Sequence, residues 1–217
     1  MHDKMKIENK KIAKSKSSVA WLTRQAHDPY VERARKEGYP ARAVYKLAEI
    51  NDKFRFLRNG QVVIDLGAAP GSWSQYISRE FPKTQVIAMD LLPMKSIDRV
   101  DFYQGDFTTD EALEWLNEKI GDINVDAVLS DMAPNTTGHQ KTDHLRQMTL
   151  LEYAWDFART ILKPGGVFVA KSFTGGTTNE LLSDIKKHFE KVAHIKPAAS
   201  RKDSVEMFII GLGFKKE

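Results

Sequence analysis

Val62-Val63-Ile64-Asp65-Leu66-Gly67-Ala68-Ala69-Pro70-Gly71-Ser72-Trp73 is the stretch that decides the fold of this chain. An apolar run enters a turn containing two glycines, and a helical segment, Trp73 to Arg79, follows. Strand, glycine turn and helix in that order mark the opening unit of an α/β sheet, whose ligands bind beyond the carboxyl ends of the strands. Gly67 and Gly71 allow the backbone to approach a ligand closely, and Asp65 at the strand end can fix a polar group. The spacing is not G-x-G-x-x-G, so a dinucleotide pyrophosphate is not implied and a nicotinamide dehydrogenase is disfavoured.

From residue 61 onward the pattern alternates. Strands are expected at Val62–Leu66, Gln85–Asp90, Asp101–Gln104, Val125–Ser130, Gly166–Lys171, Val192–Ile195 and Glu206–Leu212. Helices are expected near 72–80, 108–120, 143–162 and 177–189. Lys163-Pro164-Gly165-Gly166 reads as a helix stop that turns into the strand after it. Upstream, Val19 to Lys36 reads as a helix closing near Gly38, and Pro40 opens a second over Ala41 to about Phe54. The expected architecture is α/β: a mostly parallel sheet of about seven strands, helices on both faces, and an amino-terminal helical extension. Residues 1–18 read as a flexible basic tail, and residues 19–217 as one domain.

Charge is unevenly placed. Residues 1–60 hold 15 Lys and Arg against 7 Asp and Glu, whereas residues 61–217 hold 18 against 22. A basic amino-terminal section on a mildly acidic body suits a phosphate-rich partner gripped from one side. Arg24, Arg33, Arg35, Lys36 and Arg42 are the candidate phosphate contacts for a nucleic acid, each also readable as a solvated helix charge. Cysteine is absent, which excludes disulfides and thiolate metal ligands and fits a reducing compartment. No metal is expected, since His139 and His144 only flank a loop. No apolar run approaches the ~20 residues of a membrane span, and the Lys-rich start includes Asp3 and Glu8 with no apolar stretch behind it. A cytoplasmic monomer is the expectation.

The strand ends carry Asp65, Asp90, Asp106, Asp131 and Lys171. Asp90 can accept from ribose hydroxyls and Asp106 from the exocyclic amine of an adenine, although a loop or capping acid is the alternative for Asp106. Lys171 ends an apolar strand, where a lysine is costly to desolvate without a partner, and Asp131 is the plausible one. A structural salt bridge remains the alternative for that pair.

Seven stretches then stand in order: ARAVYKLAEI (41–50), DLGAAPGSW (65–73), MDLLPM (89–94), QGDF (104–107), SDMAPN (130–135), LKPGGVFVAKSF (162–173) and SVEMFII (204–210). With them the chain resembles the FtsJ/RrmJ family of S-adenosylmethionine-dependent ribosomal RNA ribose 2′-O-methyltransferases over residues 19–212. The resemblance implies a Rossmann-like methyltransferase fold. It also implies a catalytic Lys-Asp-Lys-Glu set falling on Lys46, Asp131, Lys171 and Glu206. For S-adenosylmethionine it carries over Gly71, Trp73, Asp90, Asp106 and Asp131, beside which the residues themselves suggest Asp65 and Gly67. The partner implied is large-subunit ribosomal RNA or the assembled large subunit, methylated at a uridine of the A-loop. Ser72 departs from the family's usual glycine, and Thr174-Gly175-Gly176-Thr177-Thr178 departs from its usual sequence. The competing readings are a 2′-O-methyltransferase acting on transfer RNA or a messenger cap, and an RNA-binding ribosome-assembly factor without catalysis.

Overall fold

The computed structural model describes residues 28–121, 124–135, 137–174, 179–201 and 204–216. The basic tail, Arg24, the first part of the helix expected from Val19, and residues 175–178 lie outside the described residues. In chain order the elements are α1 (Pro29–Glu37), α2 (Val44–Phe54), β1 (Val62–Leu66), α3 (Ser72–Glu80), β2 (Gln85–Asp90), β3 (Val100–Gln104) and α4 (Asp110–Ile120). They continue as β4 (Val125–Ser130), α5 (Gln140–Ile161), β5 (Leu162–Phe173), α6 (Asn179–His188), β6 (Phe189–Ile195) and β7 (Glu206–Phe214).

One seven-stranded sheet runs β3-β2-β1-β4-β5-β7-β6. The first five of these strands pair in parallel, and β7 is antiparallel to both β5 and β6. Every residue of β1 and β4 is buried, as expected for central strands covered on both faces. Alternate side chains divide between two apolar layers. Ile64, Leu66, Ile87 and Phe168 pack with Leu116, Trp155 and Ile185 from α4, α5 and α6. Val63, Val86, Leu129 and Val169 pack with Leu47, Ile50, Trp73 and Ile77 from α2 and α3. Strand order reverses between β1 and β4, so the crevice of the sheet opens where the glycine turn leaves β1.

Element ends follow local chemistry. Asp28 caps α1 by accepting from the Tyr30 amide, and Gly38, at φ 74°, closes it. Residues 41–43 form a tight turn, with the amides of Val44, Tyr45 and Lys46 bonded to the carbonyls of Ala41, Arg42 and Ala43, so α2 begins at Val44 rather than Ala41. α4 begins at Asp110 because the Thr109 side chain accepts from the Ala112 amide. β5 differs most from expectation. It pairs with β4 already at Leu162, then advances from Leu162 to Val167 while β4 advances only from Val125 to Ala127. Lys163-Pro164-Gly165-Gly166 is therefore a bulge within the strand, turned at Gly165 with φ 80°. β6 begins at Phe189, earlier than the expected Val192, because Phe189 pairs with Phe214 and lies against Gly211.

The edge of the sheet opposite the crevice is fastened by Asp126, which is 6% exposed. Its carboxylate accepts from the Val62 amide at 2.9 Å and pairs with Lys163 at 2.6 Å, joining the starts of β1, β4 and β5. Removing it strands a buried amide donor. Asp126→Ala is expected to lower stability by roughly 1–3 kcal/mol in urea unfolding while leaving ligand affinity at the far rim unchanged.

Candidate active site

The turn after β1 is stitched to its neighbours by main-chain bonds. Gly67 and Ala68 amides both donate to the Met89 carbonyl, at 2.9 and 3.2 Å. Asp90 accepts from the Ala69 amide at 2.8 Å and from the Leu92 amide at 2.7 Å, so it holds the turn and its own loop together. Gly67 has φ 73°, and a Cβ there would lie 2.4 Å from Met132 Cγ. Gly71 has φ 102°, and a Cβ there would lie 2.7 Å from Ile97 Cδ1 and 2.8 Å from Met94 Sδ. The two glycines thus admit two different loops, 130–135 and 91–98, against the turn.

A cavity of about 390 Å³ opens at this crevice. Gly67, Asp90, Asp106, Phe107, Asp131 and Met132 are among its walls. Asp106 Oδ1 accepts from the Thr108 amide at 3.0 Å and from Thr108 Oγ1 at 2.8 Å, which makes it a loop-forming acid as well as a wall. Asp65, Gly71 and Trp73, expected in the same pocket, do not line it. Asp65 is 1% exposed and accepts from Ser74 Oγ at 2.6 Å beneath the turn. Burial pushes its carboxyl up to about 7, against the Ser74 hydrogen bonds and with help from the charges of Asp131 and Asp90.

Trp73 serves the site from behind. Its Nε1 donates to the Ala43 carbonyl at 2.8 Å, and its ring lies 5.8 Å from that of Phe208 on β7. Ser72 Oγ donates to the Ala41 carbonyl at 3.2 Å, so the serine that departs from the usual glycine fastens the turn before α2. Through these bonds α2 is carried to the rim, and with it Lys46.

Lys46, Asp131, Lys171 and Glu206 come together there. Lys171 Nζ lies 2.6 Å from Asp131 Oδ1, a charge contact without hydrogen-bond geometry, and donates to the Asp131 carbonyl at 2.8 Å. It lies 3.6 Å from Glu206. Lys46 Nζ lies 2.9 Å from Glu206 and 3.5 Å from Asp131. Burial alone would lower the Lys46 ammonium, but Asp131 and Glu206 outweigh it and hold the group above its ordinary range. Burial alone would raise Asp131, and the two lysines outweigh it, holding the carboxyl below the usual range. Lys46 is therefore a cation at neutral pH, and Asp131 an anion.

Two supporting residues escaped the sequence reading. Gln147, buried on α5, donates to the Lys171 carbonyl at 3.1 Å and the Met132 carbonyl at 3.3 Å. Ser200 Oγ donates to Glu206 at 2.8 Å. A polar residue on the inward face of α5 was the one available sign of the first. Nothing in the pattern marked the second.

The basic candidates separate. Arg42 is spent inside the fold: its guanidinium pairs with Asp28 and donates to the Ala199 carbonyl. This corrects its reading as a solvated helix charge, since its side chain is 14% exposed and the fold supplies a carboxylate for it. Arg33 pairs with Glu37 at 2.8 Å and lies 4.4 Å over the Tyr45 ring, and Lys36 pairs with Glu32 at 2.8 Å. Arg35 is exposed on the last turn of α1 and has no ion pair among the described residues. Among the described residues no group of three or more His, Cys, Asp or Glu could hold a metal, and no helix is long and apolar enough to cross a membrane.

The model of the FtsJ-like methyltransferases matches residues 39–214, from the turn before α2 to the last residue of β7. The chain belongs to that family. The ribosomal RNA large subunit methyltransferase E of Novosphingobium aromaticivorans is 50% identical over 214 residues, covering 99% of this chain and 95% of that protein. The protein of the same description from Caulobacter vibrioides is 51% identical over 199 residues, covering 92% and 87%. A crystal structure of a ribosomal RNA methyltransferase from Plasmodium falciparum superposes with a TM-score of 0.74 at 30% identity, over 81% of this chain and 98% of that one. In this FtsJ-like methyltransferase the crevice cavity and the four charged residues meet at Asp131.

Asp65 gives the site a measurable pH signature. Its folded pKa, about 7, lies above the unfolded value near 4, so the fold binds the extra proton. Its contribution is full below about pH 4 and is lost as pH rises towards about 7, by up to roughly 4 kcal/mol. Asp65→Asn keeps an acceptor for Ser74 and removes the titration. The stability of the wild type relative to this variant, from urea midpoints, is expected to fall between about pH 4 and about pH 7 and to level off above that. A constant difference would place the titration elsewhere.

Proposed function

We propose that this chain transfers the methyl group of S-adenosylmethionine to a ribose 2′-hydroxyl of large-subunit ribosomal RNA, at a uridine of the A-loop on the assembled subunit. The observation that carries the reading is the double position of Asp131, which borders the crevice cavity and pairs with both lysines. Identity near 50% over nearly the full length of proteins described as ribosomal RNA large subunit methyltransferase E supports the substrate class. We further propose that it acts as one folded domain, as a monomer and in the cytoplasm.

The cavity suits the proposed donor. Its polar walls include the carboxylates of Asp90 and Asp106, suited to ribose hydroxyls and to an adenine amine, and Phe107, Met132 and Leu150 supply apolar surface for a base. When bound, S-adenosylmethionine supplies an electrophilic methyl group on a sulfonium sulfur that leaves as a neutral thioether. Because the donor is already activated, the chain's own work is alignment and proton handling. Asp131 supplies negative charge at the boundary between the cavity and the lysines. Lys46, a held cation, donates to the ribose and does not act as a base. Lys171 is fixed by the Asp131 carbonyl and by two carboxylates. As a free amine it takes the hydroxyl proton, and as an ammonium it turns the oxygen's lone pair towards the methyl while the hydroxyl proton passes to water. The two roles separate in the pH–rate profile: a base makes kcat rise with pH, and a donor makes it fall.

Lys171→Ala is expected to lower methyl transfer to large subunits by about 10³-fold or more while S-adenosylmethionine affinity stays near wild type. Tritiated methyl transfer and calorimetric titration measure the two quantities. Turnover close to wild type would remove Lys171 from its role. Free transfer RNA accepting methyl in preference to large subunits would move the substrate to the competing class.

A further inference from the structure

A second, smaller cavity of about 220 Å³ also borders the charged residues. Lys46 and Glu206 border it, together with Ala41, Ala43, Arg201 and Ser204. It shares no wall residue with the crevice cavity, and the charged cluster borders both, through Asp131 on the first and through Lys46 and Glu206 on the second. On the reading above, the first chamber takes the methyl donor and the second faces the acceptor.

Arg201 is the unexplained group of this second chamber. Its guanidinium makes no ion pair or side-chain hydrogen bond among the described residues. The one carboxylate described in the wall, Glu206, is already engaged by Lys46, Lys171 and Ser200. The other guanidinium in the wall, Arg42, is neutralised by Asp28. Arg201 adds to that crowding, because its charge, after burial, helps lower Arg42 from its usual range. Among the described residues, a half-buried cation therefore stands beside a second guanidinium and a lysine with no anion of its own. Such a group is a cost to stability unless a ligand brings the countercharge.

The chemistry of the acceptor says which anion. In a ribonucleotide the 2′-oxygen and the 3′-phosphodiester sit on adjacent carbons of one sugar. A ribose whose 2′-oxygen reaches Lys46 and Lys171 thus brings a phosphodiester into the same chamber. A guanidinium is the side chain suited to receive two phosphate oxygens at once. The alanines at 41 and 43 leave the sugar room that larger side chains would fill.

We infer that Arg201 binds the phosphodiester attached to the acceptor ribose, in the chamber bounded by Ala41, Ala43, Lys46, Ser204 and Glu206. The inference rests on the proposed 2′-O-methyl transfer and assigns a binding residue that the four charged residues do not include. Phosphate capture of this kind draws affinity from counterion release and depends on salt.

The test uses Arg201→Ala and Arg201→Lys in the full chain. For Arg201→Ala, KM for large subunits is expected to rise about tenfold, well beyond any fall in kcat. The dependence of log KM on log salt is expected to flatten by about one unit of slope. Arg201→Lys keeps the charge without the fork, and is expected to recover the salt slope and part of the affinity. S-adenosylmethionine affinity should match wild type in both variants, and urea stability should be no lower than wild type, with Arg201→Ala at or above it because the unpaired buried charge is gone. An unchanged KM and slope overturns the inference. So does a KM rise accompanied by lost stability or donor affinity, which would make Arg201 a structural support of the 196–201 loop. Anisotropy of a fluorescent RNA stem-loop, titrated without donor, repeats the affinity and salt comparison independently of turnover. If wild-type protein methylates no large-subunit RNA, the functional reading fails, and the anisotropy series still decides Arg201.

Discussion

The buried alternation of two ammonium groups and two carboxylates is the interaction on which the rest of the site depends. The four side chains are between 7% and 14% exposed, far too little for water to screen them. Taking such charges out of water costs several kcal/mol each, recovered only when every charge meets its opposite at short range. Asp131 and Glu206 each face both lysines, so the loss of any one member leaves two like charges sharing a single opposite one. That mutual dependence fixes the nitrogen positions more tightly than long lysine side chains would achieve alone.

The cluster is assembled from distant parts of the chain, and the fold contains specific clips that do it. Lys46 stands 160 positions before Glu206. Helix α2 reaches the rim because Trp73 and Ser72 bind the carbonyls of the preceding turn. Glu49 on the same helix accepts from the amides of Ala198 and Ala199, at 2.6 and 3.0 Å, in the loop that leads to Ser200 and Arg201. Arg42 closes the ring by joining Asp28 to the Ala199 carbonyl. Several of these residues look like surface charge in the sequence, and they are structural ties.

What could be read without coordinates followed from periodicity. β1, β2, β4 and α3 begin and end where apolar runs and turn residues place them, because their signals are local. The bulge in β5 and the early start of β6 were not legible, since both arise from pairing with strands far away in sequence. The same division holds at the site. Carboxylates at strand ends reach the rim by topology alone, so Asp90, Asp106 and Asp131 fall on the cavity wall. Asp65 does not, because alternation along β1 sends it below the turn to Ser74. Trp73 and Arg42 bond main-chain carbonyls, contacts that no residue pattern announces.

The reversed direction of β7 has a consequence of its own. Glu206 is the first residue of its strand and Lys171 lies near the end of β5, yet they meet because Phe173 pairs with Glu206 and Lys171 with Phe208. A parallel strand in that place would deliver its start to the wrong edge of the sheet. Running antiparallel, β7 departs from the rim and carries the backbone across the whole width of the molecule to Phe214, which packs beside Trp155 and Phe189. Whatever is joined after Phe214, whether an affinity handle, a fluorophore or a surface tether, leaves from the edge facing away from both chambers, and the rim stays open to a bulky partner.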